Sequence, residues 1–403
     1  MTLDTPGSST AVQPLGPGAW RRPAFGALVV AWGANMFASL LQTYRGDLSQ
    51  VQVTTLYGAY ALGLIPALLV LARLSDRWGR RAVLGSGLVL SAVGTLVILL
   101  SGNDFAGILA GRVLVGVSAG AALAPATAWI RRLSDDAGSG AAGARRAASA
   151  LTGGFALGPL VSGIVVQWFP APRPVAYLLH VVLVGAALLA LRGTPEPPAA
   201  RPSAGTIPGP GLRTVLGGRL FLFAIVTTAP WVFGAATTAL AALPVLVPLG
   251  GYGAVGSGVI AATTLGAGIL VQPLAQRLER RSPATPFRVG VLAVVVGMLV
   301  ATVTVATGSV ALLVATAVVL GSAYGLLLVS GLRLVQALVP DQHAAVATAV
   351  FYALTYVGFA APVVIQALAQ VWNPEAVLVG VAALAVLSLV STSLAWTRRR
   401  AEA

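Results

Sequence analysis

Side chains that could carry out chemistry are scarce in this chain. The 403 residues include no cysteine, two histidines and 11 acidic residues, against 25 basic ones. Without cysteine, neither a disulfide framework nor a thiolate metal site can form. The sequence also contains no phosphate-binding loop, nucleophile elbow or cluster of metal ligands. It therefore gives no support for an enzyme, a bound cofactor or a metal centre, and the chemistry left to consider is proton exchange.

Three titratable residues are candidates for carrying a proton. Asp47 and Asp104 stand at the edges of long apolar segments, and His180 stands within one. The ordinary pKa of histidine is close to physiological pH. Arg112, also within an apolar segment, cannot release a proton because the pKa of an arginine exceeds about 12. Its charge needs a partner in the protein interior, and either acid could approach it.

The segments around these residues are those of a membrane protein. Hydrophobic residues make up 57% of the chain, charged residues 9%, and the mean hydropathy is +0.89. A soluble domain has roughly a quarter of its residues charged. Residues 27–44 and 376–396 are apolar on every side, without the alternation that a membrane barrel needs. The sequence therefore predicts an all-α membrane protein.

The apolar segments are long enough to cross a bilayer, which takes about 20 residues per helix. Twelve such spans are predicted. They are 24–44, 53–72, 82–101, 105–130, 147–168, 174–191, 219–244, 253–275, 287–307, 309–332, 344–370 and 375–396.

The arginines predict how these helices are oriented. If the amino terminus is cytoplasmic, 22 of the 25 arginines fall in cytoplasmic segments, as the positive-inside rule requires. This distribution accounts for the formal charge of +14 without nucleic-acid binding. We expect a multi-pass protein of the cell (inner) membrane with both termini in the cytoplasm.

A stretch rich in proline and glycine at 193–218 divides the spans into six and six. The two halves contain similar short sequences, since GVSAG at 116–120 corresponds to GSAYG at 321–325. Paired six-helix repeats are typical of secondary transporters, with the substrate site between them. We predict twelve transmembrane helices in two six-helix pseudo-symmetric bundles. The predicted divisions are a cytoplasmic tail 1–23, a bundle 24–192, a cytoplasmic linker 193–218, a bundle 219–397 and a cytoplasmic tail 398–403.

The loop between predicted helices 2 and 3 carries a recognisable motif. It reads Ala72, Leu74, Asp76, Arg77, Gly79, Arg80 and Arg81 at the spacing Gly-x-Leu-x-Asp-Arg-x-Gly-Arg-Arg, with alanine replacing the first glycine. This resembles the cytoplasmic signature of the major facilitator superfamily. The resemblance implies that Asp76 to Arg81 form a gate that latches the halves together on the cytoplasmic side. The alternative is that these charges only fix topology.

Two further motifs extend the resemblance. Arg112, Gly116 and Gly120 share one face of helix 4 and are similar to a family signature tied to proton coupling. The alternative for Arg112 is an arginine that reaches the outer headgroups. Helix 5 is similar to the motif of the drug-exporting antiporter branch, although close helix packing explains the same residues. Its motif residues are Gly154, Gly158, Pro159 and Gly163.

The family's central cavity is lined by helices 1, 4, 7 and 10, so polar and aromatic residues there are candidates for binding substrate. A mostly apolar, aromatic cavity suits an amphipathic organic compound. The alternative is that these side chains bond one helix to another. The candidates are Trp32, Asn35, Ser39, Gln42, Thr227, Trp231, Thr238, Tyr324 and Tyr356.

The sequence thus predicts a secondary active transporter that works by alternating access. We expect it to export a small amphipathic organic compound or drug in exchange for protons, as a monomer in the lipid bilayer, without cofactor or nucleic-acid partner. Such efflux would confer multidrug resistance. The alternatives are an importer or uniporter of a small metabolite or sugar, and a membrane sensor or scaffold that transports nothing.

Overall fold

The structure is a computed structural model that describes residues 18–71, 78–136, 140–196 and 212–402. Within these residues it is helical, with turns and no strands. Twelve helices are long and apolar enough to cross a membrane. They are α1 (Arg21–Tyr44), α2 (Gln50–Leu71), α3 (Arg80–Leu100), α4 (Phe105–Ser134), α5 (Arg145–Trp168), α6 (Pro172–Leu191), α7 (Phe221–Leu246), α8 (Gly250–Arg281), α9 (Thr285–Thr307), α10 (Val310–Leu338), α11 (Val346–Leu368) and α12 (Pro374–Thr397).

The prediction of an all-α membrane protein with twelve spans is confirmed. Most boundaries lie within a few residues of the predicted ones. The largest differences are in α8, which continues from 275 to Arg281, and in α10, which continues from 332 to Leu338. Hydropathy measures only the part of a helix that lies in hydrocarbon. The polar end of α8 keeps its backbone hydrogen bonds and extends beyond that part. The last helix likewise runs on to Glu402.

Local sequence accounts for where several helices begin and end. Asp104 stands at the start of α4, where its Oδ2 accepts a hydrogen bond from the backbone N–H of Gly107, 2.7 Å away. Ser309 caps α10 in the same way, accepting from Leu312 N at 3.4 Å. Gly308 ends α9 with a positive φ of 64°, a conformation that glycine adopts without steric cost. These caps satisfy backbone groups that would otherwise have no partner.

The two halves of the chain pack in the same way. In the first half α4 contacts α1, α2 and α3, and α3 contacts α6. In the second half α10 contacts α7, α8 and α9, and α9 contacts α12, which are the equivalent pairs six helices later. The halves meet along α5 with α8 and along α2 with α11. Because α5 is equivalent to α11 and α2 to α8, the two contacts are related by pseudo-symmetry.

Glycines let equivalent helices approach closely in both halves. A Cβ atom on Gly120 of α4 would lie 2.6 Å from the carbonyl oxygen of Leu64 on α2. A Cβ atom on Gly325 of α10 would lie still closer to the carbonyl oxygen of Gly268 on α8. Small residues at such contacts allow backbones to pack where lipid provides no hydrophobic driving force. The sequence similarity between 116–120 and 321–325 therefore reflects equivalent helix contacts in the two halves.

Three hydrogen bonds join the halves at one end of the molecule. We call the end that holds Arg21 and Thr397 the inner end and the opposite end the outer end. At the outer end Gln42 Nε2 donates to Ser257 Oγ at 3.0 Å, and Arg45 Nη2 donates to the Pro244 carbonyl at 3.1 Å. Gln167 Nε2 donates to the Gly251 carbonyl at 2.6 Å. The outer ends of α1 and α5 are thus fastened to α7 and α8.

Candidate functional site

Seven aromatic rings meet where α2, α7, α10 and α11 come together, at the boundary between the halves. Phe233 lies among them, with ring centroids 4.7 Å from Tyr356, 5.1 Å from Phe359 and 5.6 Å from Tyr324. The ring of Tyr356 is nearly parallel to that of Phe233, at 12°. We call this group the central aromatic cluster. Its members are Tyr57, Tyr60, Phe233, Tyr324, Tyr352, Tyr356 and Phe359.

Phe359 connects the aromatic rings of the second half to those of the first. Its ring stacks on Tyr57 of α2 with centroids 5.7 Å apart and lies 5.5 Å from the ring of Tyr60. Gly58 makes this approach possible, since a Cβ there would lie 3.1 Å from the Phe359 carbonyl oxygen. Residues Val357–Ala360 form a 3-10 turn within α11. A shift of one half against the other would therefore change the contacts of Phe359.

The cluster includes a buried polar atom without a partner. The hydroxyl oxygen of Tyr60 makes no hydrogen bond within the described chain, although the residue is 1% exposed. Buried polar groups are nearly always hydrogen-bonded, and an exception calls for an explanation. Such a hydroxyl can donate to a carbonyl or ether oxygen of a bound molecule. The cluster thus combines stacking surfaces with a hydrogen-bonding group, which is typical of small-molecule sites.

Arg112 lies beside the cluster with its charge fully enclosed. It is 1% exposed and donates three hydrogen bonds to backbone carbonyls: Nε to Leu56 at 3.0 Å, Nη1 to Ala34 at 3.1 Å and Nη2 to Tyr57 at 3.2 Å. Its guanidinium also faces the ring of Tyr60, 5.4 Å from the centroid. The side chain therefore does not reach the outer headgroups. Its partners are carbonyls of α1 and α2 and not Asp47 or Asp104.

The helix 5 motif binds α1 through the carbonyls around its proline. Pro159 has no N–H to give to the carbonyl of Phe155, four residues earlier. Asn35 Nδ2 donates to that Phe155 carbonyl instead, at 2.8 Å, and Ser39 Oγ donates to the carbonyl of Pro159 at 2.7 Å. We predicted cavity positions for Asn35 and Ser39, but the structure places both in the α1–α5 interface. The Phe155 carbonyl, which Pro159 leaves without a backbone donor, accounts for the position of Asn35.

The glycines of the helix 4 and helix 5 motifs lie at helix contacts. Gly116 and Gly120 face the backbone of α2, and Gly154 and Gly158 face that of α1. Gly163 faces α8 of the other half, where a Cβ would lie 2.6 Å from the Ala254 carbonyl oxygen. Because backbone stands where a side chain would project, these positions admit nothing larger than glycine without movement of a helix.

The other predicted cavity residues divide between the cluster and the helix interfaces. Tyr324 and Tyr356 belong to the cluster. Trp231 Nε1 donates to Ser388 Oγ of α12 at 2.9 Å, and Gln42 takes part in the outer-end bonds. Each of these two side chains bonds one helix to another, as in the alternative given for them, and their place in a cavity stays a prediction. The remaining three are Trp32, which is buried with an unpartnered Nε1, and Thr227 and Thr238, which bond carbonyls of their own helix at 2.7 Å.

Only part of the predicted gate motif can be located. Asp76 and Arg77 lie outside the described residues. Gly79 adopts a φ of +86°, and the backbone N–H of Arg81 donates to Glu196 Oε1 at 3.2 Å. Arg80 begins α3. The gate therefore stays a prediction, although the positive φ explains why a glycine stands at position 79.

The three proton-carrier candidates have different surroundings. Asp47 Oδ2 lies 3.4 Å from Arg173 Nη2 in a half-exposed ion pair, and Asp104 caps α4. His180 is fully buried on α6, where its Nδ1 lies 2.9 Å from Thr95 Oγ1 of α3. Its Nε2 faces the backbone of α1 at Gly33. Of the three, His180 alone lies deep within the helix bundle.

Tyr324 and Tyr356 were among the predicted cavity residues, and Tyr352 and Phe359 are further aromatic residues of the same predicted helix 11. The sequence analysis missed the other three members of the cluster: Tyr57, Tyr60 and Phe233. The two tyrosines lie on α2, which was not among the helices expected to line the cavity. Their spacing of three residues puts them on one helical face and was an available signal. Phe233 lies beside the polar residues considered on α7, where its apolar ring gave no indication of a site.

Comparison with known proteins agrees with this architecture. Two solved transporters have the same fold at low sequence identity. The POT family transporter PepTSo superposes with a TM-score of 0.76 at 11% identity, covering 97% of this chain and 100% of that one. The nucleoside transporter NupG superposes with a TM-score of 0.69 at 14% identity, covering 94% of this chain and 98% of that one.

Curated relatives match over shorter stretches. A triacylglyceride transporter of Mycolicibacterium smegmatis is 40% identical over 124 residues, which are 29% of this chain and 20% of that protein. The bacillibactin exporter of Bacillus subtilis is 31% identical over 151 residues, which are 35% of this chain and 37% of that protein. The chain thus matches less than two-fifths of the length of either relative.

A family model extends over most of the chain. The model of the Major Facilitator Superfamily matches residues 24–361, which include the whole first half and all but the end of the second. The matched region contains the central aromatic cluster, Arg112 and the outer-end bonds. The chain therefore belongs to the Major Facilitator Superfamily and is a membrane transporter, not an enzyme.

Proposed function

We propose that this transporter exports an uncharged or anionic amphipathic organic compound from the cytoplasm by alternating access, in exchange for protons. The single observation that carries the proposal is the central aromatic cluster. It lies on the boundary between the halves, where a substrate would contact both. It also contains an unpartnered hydroxyl, on Tyr60, that could bind an oxygen of the substrate.

The charges around the cluster favour some substrates over others. Arg112 is the only charged residue within the apolar part of the described spans, since Glu279 and Glu375 stand near helix ends. A buried positive charge repels a lipophilic cation, and no carboxylate among the described residues is paired with Arg112 to offset it. Aromatic rings instead provide large apolar surfaces for stacking. We therefore infer that the transporter selects against lipophilic cations. Of the drug-like compounds expected from the sequence, the uncharged and anionic ones remain.

The proposed direction of transport and the proposed orientation in the membrane are supported by the names of relatives and by the distribution of arginines. One curated relative is named an exporter of bacillibactin, and another is named a transporter of triacylglycerides, which are uncharged. We propose that the inner end is cytoplasmic, because the arginines concentrate there. The protein would then stand in the cell membrane as a monomer with both termini in the cytoplasm. The outer-end bonds would have to break in each transport cycle.

We propose His180 as the residue that carries the proton. Its ring packs between α1 and α3, against Gly33, and Arg112 bonds the carbonyl of the next residue, Ala34. A second positive charge on His180 would repel Arg112, because both lie against the same stretch of α1. Protonation would thus favour a different position of α1. Asp47 and Asp104 are less suited because each already holds a structural partner.

Inverted membrane vesicles test the function. We expect vesicles with an acidic interior to accumulate a fluorescent monoacylglycerol, but not ethidium, a lipophilic cation, or glucose. His180→Gln should abolish the dependence on the pH gradient while leaving exchange of labelled for unlabelled substrate intact. Asp47→Asn and Asp104→Asn are the matched controls and should keep the dependence. Accumulation of ethidium in place of the monoacylglycerol would overturn the substrate class, and gradient-driven transport by His180→Gln would overturn the carrier.

A further inference from the structure

The inner end of α8 is a basic amphipathic segment, Gln272–Arg281. It presents Arg277, Arg280 and Arg281 on its exposed surface. The one acid in the segment, Glu279, is already paired with Arg333 of α10, with Oε2 2.6 Å from Nη1. Within the described residues, the three exposed arginines have no carboxylate within ion-pair distance. The segment therefore carries uncompensated positive charge at the level where lipid headgroups stand.

A groove lies further along the membrane-facing surface of the same helix. It has a volume of about 460 Å³ and is open to the side, between α8 and α10. Apolar and small side chains dominate its walls, and Leu270 at its lower edge is 81% exposed. Its lining includes Thr263, Gly266, Ala267, Leu270, Val318 and Ser322. Such a groove in hydrocarbon suits an acyl chain.

The groove and the arginines lie on one face of α8. The helix is interrupted at Val271, between Gly253–Leu270 and Gln272–Arg281, but Val271 keeps near-helical dihedral angles of φ −81° and ψ −14°. Positions 263, 267 and 270 before this residue, and 274, 277 and 281 after it, follow one another at intervals of three or four, which keeps residues on the same side of a helix. Leu274, between groove and arginines, is 43% exposed and continues the apolar surface. At 1.5 Å per residue, Arg277 stands about 10 Å from Leu270 along the helix axis. A phospholipid with its phosphate at the arginines could place an acyl chain in the groove.

We propose that this face of α8 and α10 is a binding site for an anionic phospholipid of the inner-end leaflet. The arginines bind the phosphate and the negative headgroup, and the groove holds one acyl chain. The charge selects the occupant, because a zwitterionic lipid offers less attraction to three arginines. The site faces the bilayer and is separate from the central aromatic cluster. The proposal is therefore independent of what the protein transports.

Native mass spectrometry of the full chain in detergent tests the site, with phosphatidylglycerol and phosphatidylcholine of identical acyl chains as probes. We expect phosphatidylglycerol to be retained about tenfold better, since each basic residue near a membrane surface adds to the attraction. The triple variant Arg277→Gln, Arg280→Gln, Arg281→Gln should lose this preference. The control triple, Arg145→Gln, Arg213→Gln, Arg219→Gln, removes the same charge elsewhere and should keep it.

The groove has its own variant and control. A Cβ on Gly266 would meet no atom within 4 Å, so Gly266→Leu can fill the groove without disturbing the helix packing. We expect it to reduce retention of phosphatidylglycerol about tenfold, whereas Gly185→Leu on α6, where a Cβ also meets nothing, should not. Unchanged thermal unfolding in lipid-free detergent shows that each variant is folded.

Several results would overturn the proposal. Equal retention of the two lipids would do so, as would an equal loss in the control triple. Full retention by Gly266→Leu would exclude the groove as the acyl-chain site. If glycerol 3-phosphate displaced the lipid completely, the arginines would form a site for a free phosphate ester and not for a lipid.

Discussion

At the scale of single residues, polar side chains within this bundle mainly satisfy backbone carbonyls. Arg112 donates to three of them, and Asn35 donates to the carbonyl that Pro159 leaves without a partner. In hydrocarbon an unsatisfied carbonyl is costly, and no water replaces the missing donor. From the sequence, the polar side chains of α1 could either line a cavity or bond one helix to another. Their role depends on which carbonyl of another helix lies opposite, and one sequence does not contain this information.

The hydrogen bond from Asn35 to the Phe155 carbonyl leads to a prediction. Asn35→Ala removes the donor to the Phe155 carbonyl and should lower the free energy of unfolding by about 1–3 kcal/mol. Pro159→Ala supplies a backbone N–H to the same carbonyl. The loss of unfolding free energy in the double variant should therefore be about 1 kcal/mol smaller than the sum of the losses in the two single variants. Unfolding of the four proteins in detergent measures this coupling, and strict additivity would contradict it.

At the scale of helices, the twelve spans could be predicted because hydrophobic length alone decides them. The predicted helix 4 motif also falls where glycines are needed, since Gly120 faces the Leu64 carbonyl oxygen. What hydropathy could not predict is the position of the central aromatic cluster. Tyr57 and Phe233 are aromatic residues in apolar helices, where such residues are common and do not stand out. Their rings reach Phe359 only because α2 and α7 both pack against α11.

The close approach of α2 and α4 leads to a prediction at this scale. Gly120→Val places a branched side chain where the Leu64 carbonyl stands, and should cost about 1–3 kcal/mol of stability through overpacking. Gly85→Val on α3 is the matched control, because a Cβ at Gly85 meets no atom within 4 Å. Thermal unfolding should show a lower midpoint for Gly120→Val only. Equal midpoints for the two variants would mean that α2 and α4 are not in contact at this point.

At the scale of the whole molecule, two equivalent halves meet along α2 with α11 and α5 with α8. The outer-end bonds of Gln42, Arg45 and Gln167 fasten the halves together at one end. The sequence predicts two six-helix bundles from their echoing motifs. It does not predict the outer-end bonds, since these join side chains to one hydroxyl and two carbonyls that lie 84 or more residues away along the chain. The gate expected at Asp76 to Arg81 stays a prediction, because Asp76 and Arg77 lie outside the described residues.

The central claim is that substrate binds at the central aromatic cluster, and equilibrium binding to the purified protein tests it most directly. Phe233 makes three ring contacts, each contributing about 0.5–1.5 kcal/mol, and the substrate would use the same surfaces. We predict that Phe233→Ala weakens the Kd for a fluorescent monoacylglycerol about tenfold or more. Phe223→Ala, at a half-exposed position on the same helix, should leave it unchanged. Equal affinity of wild type and Phe233→Ala would contradict the claim.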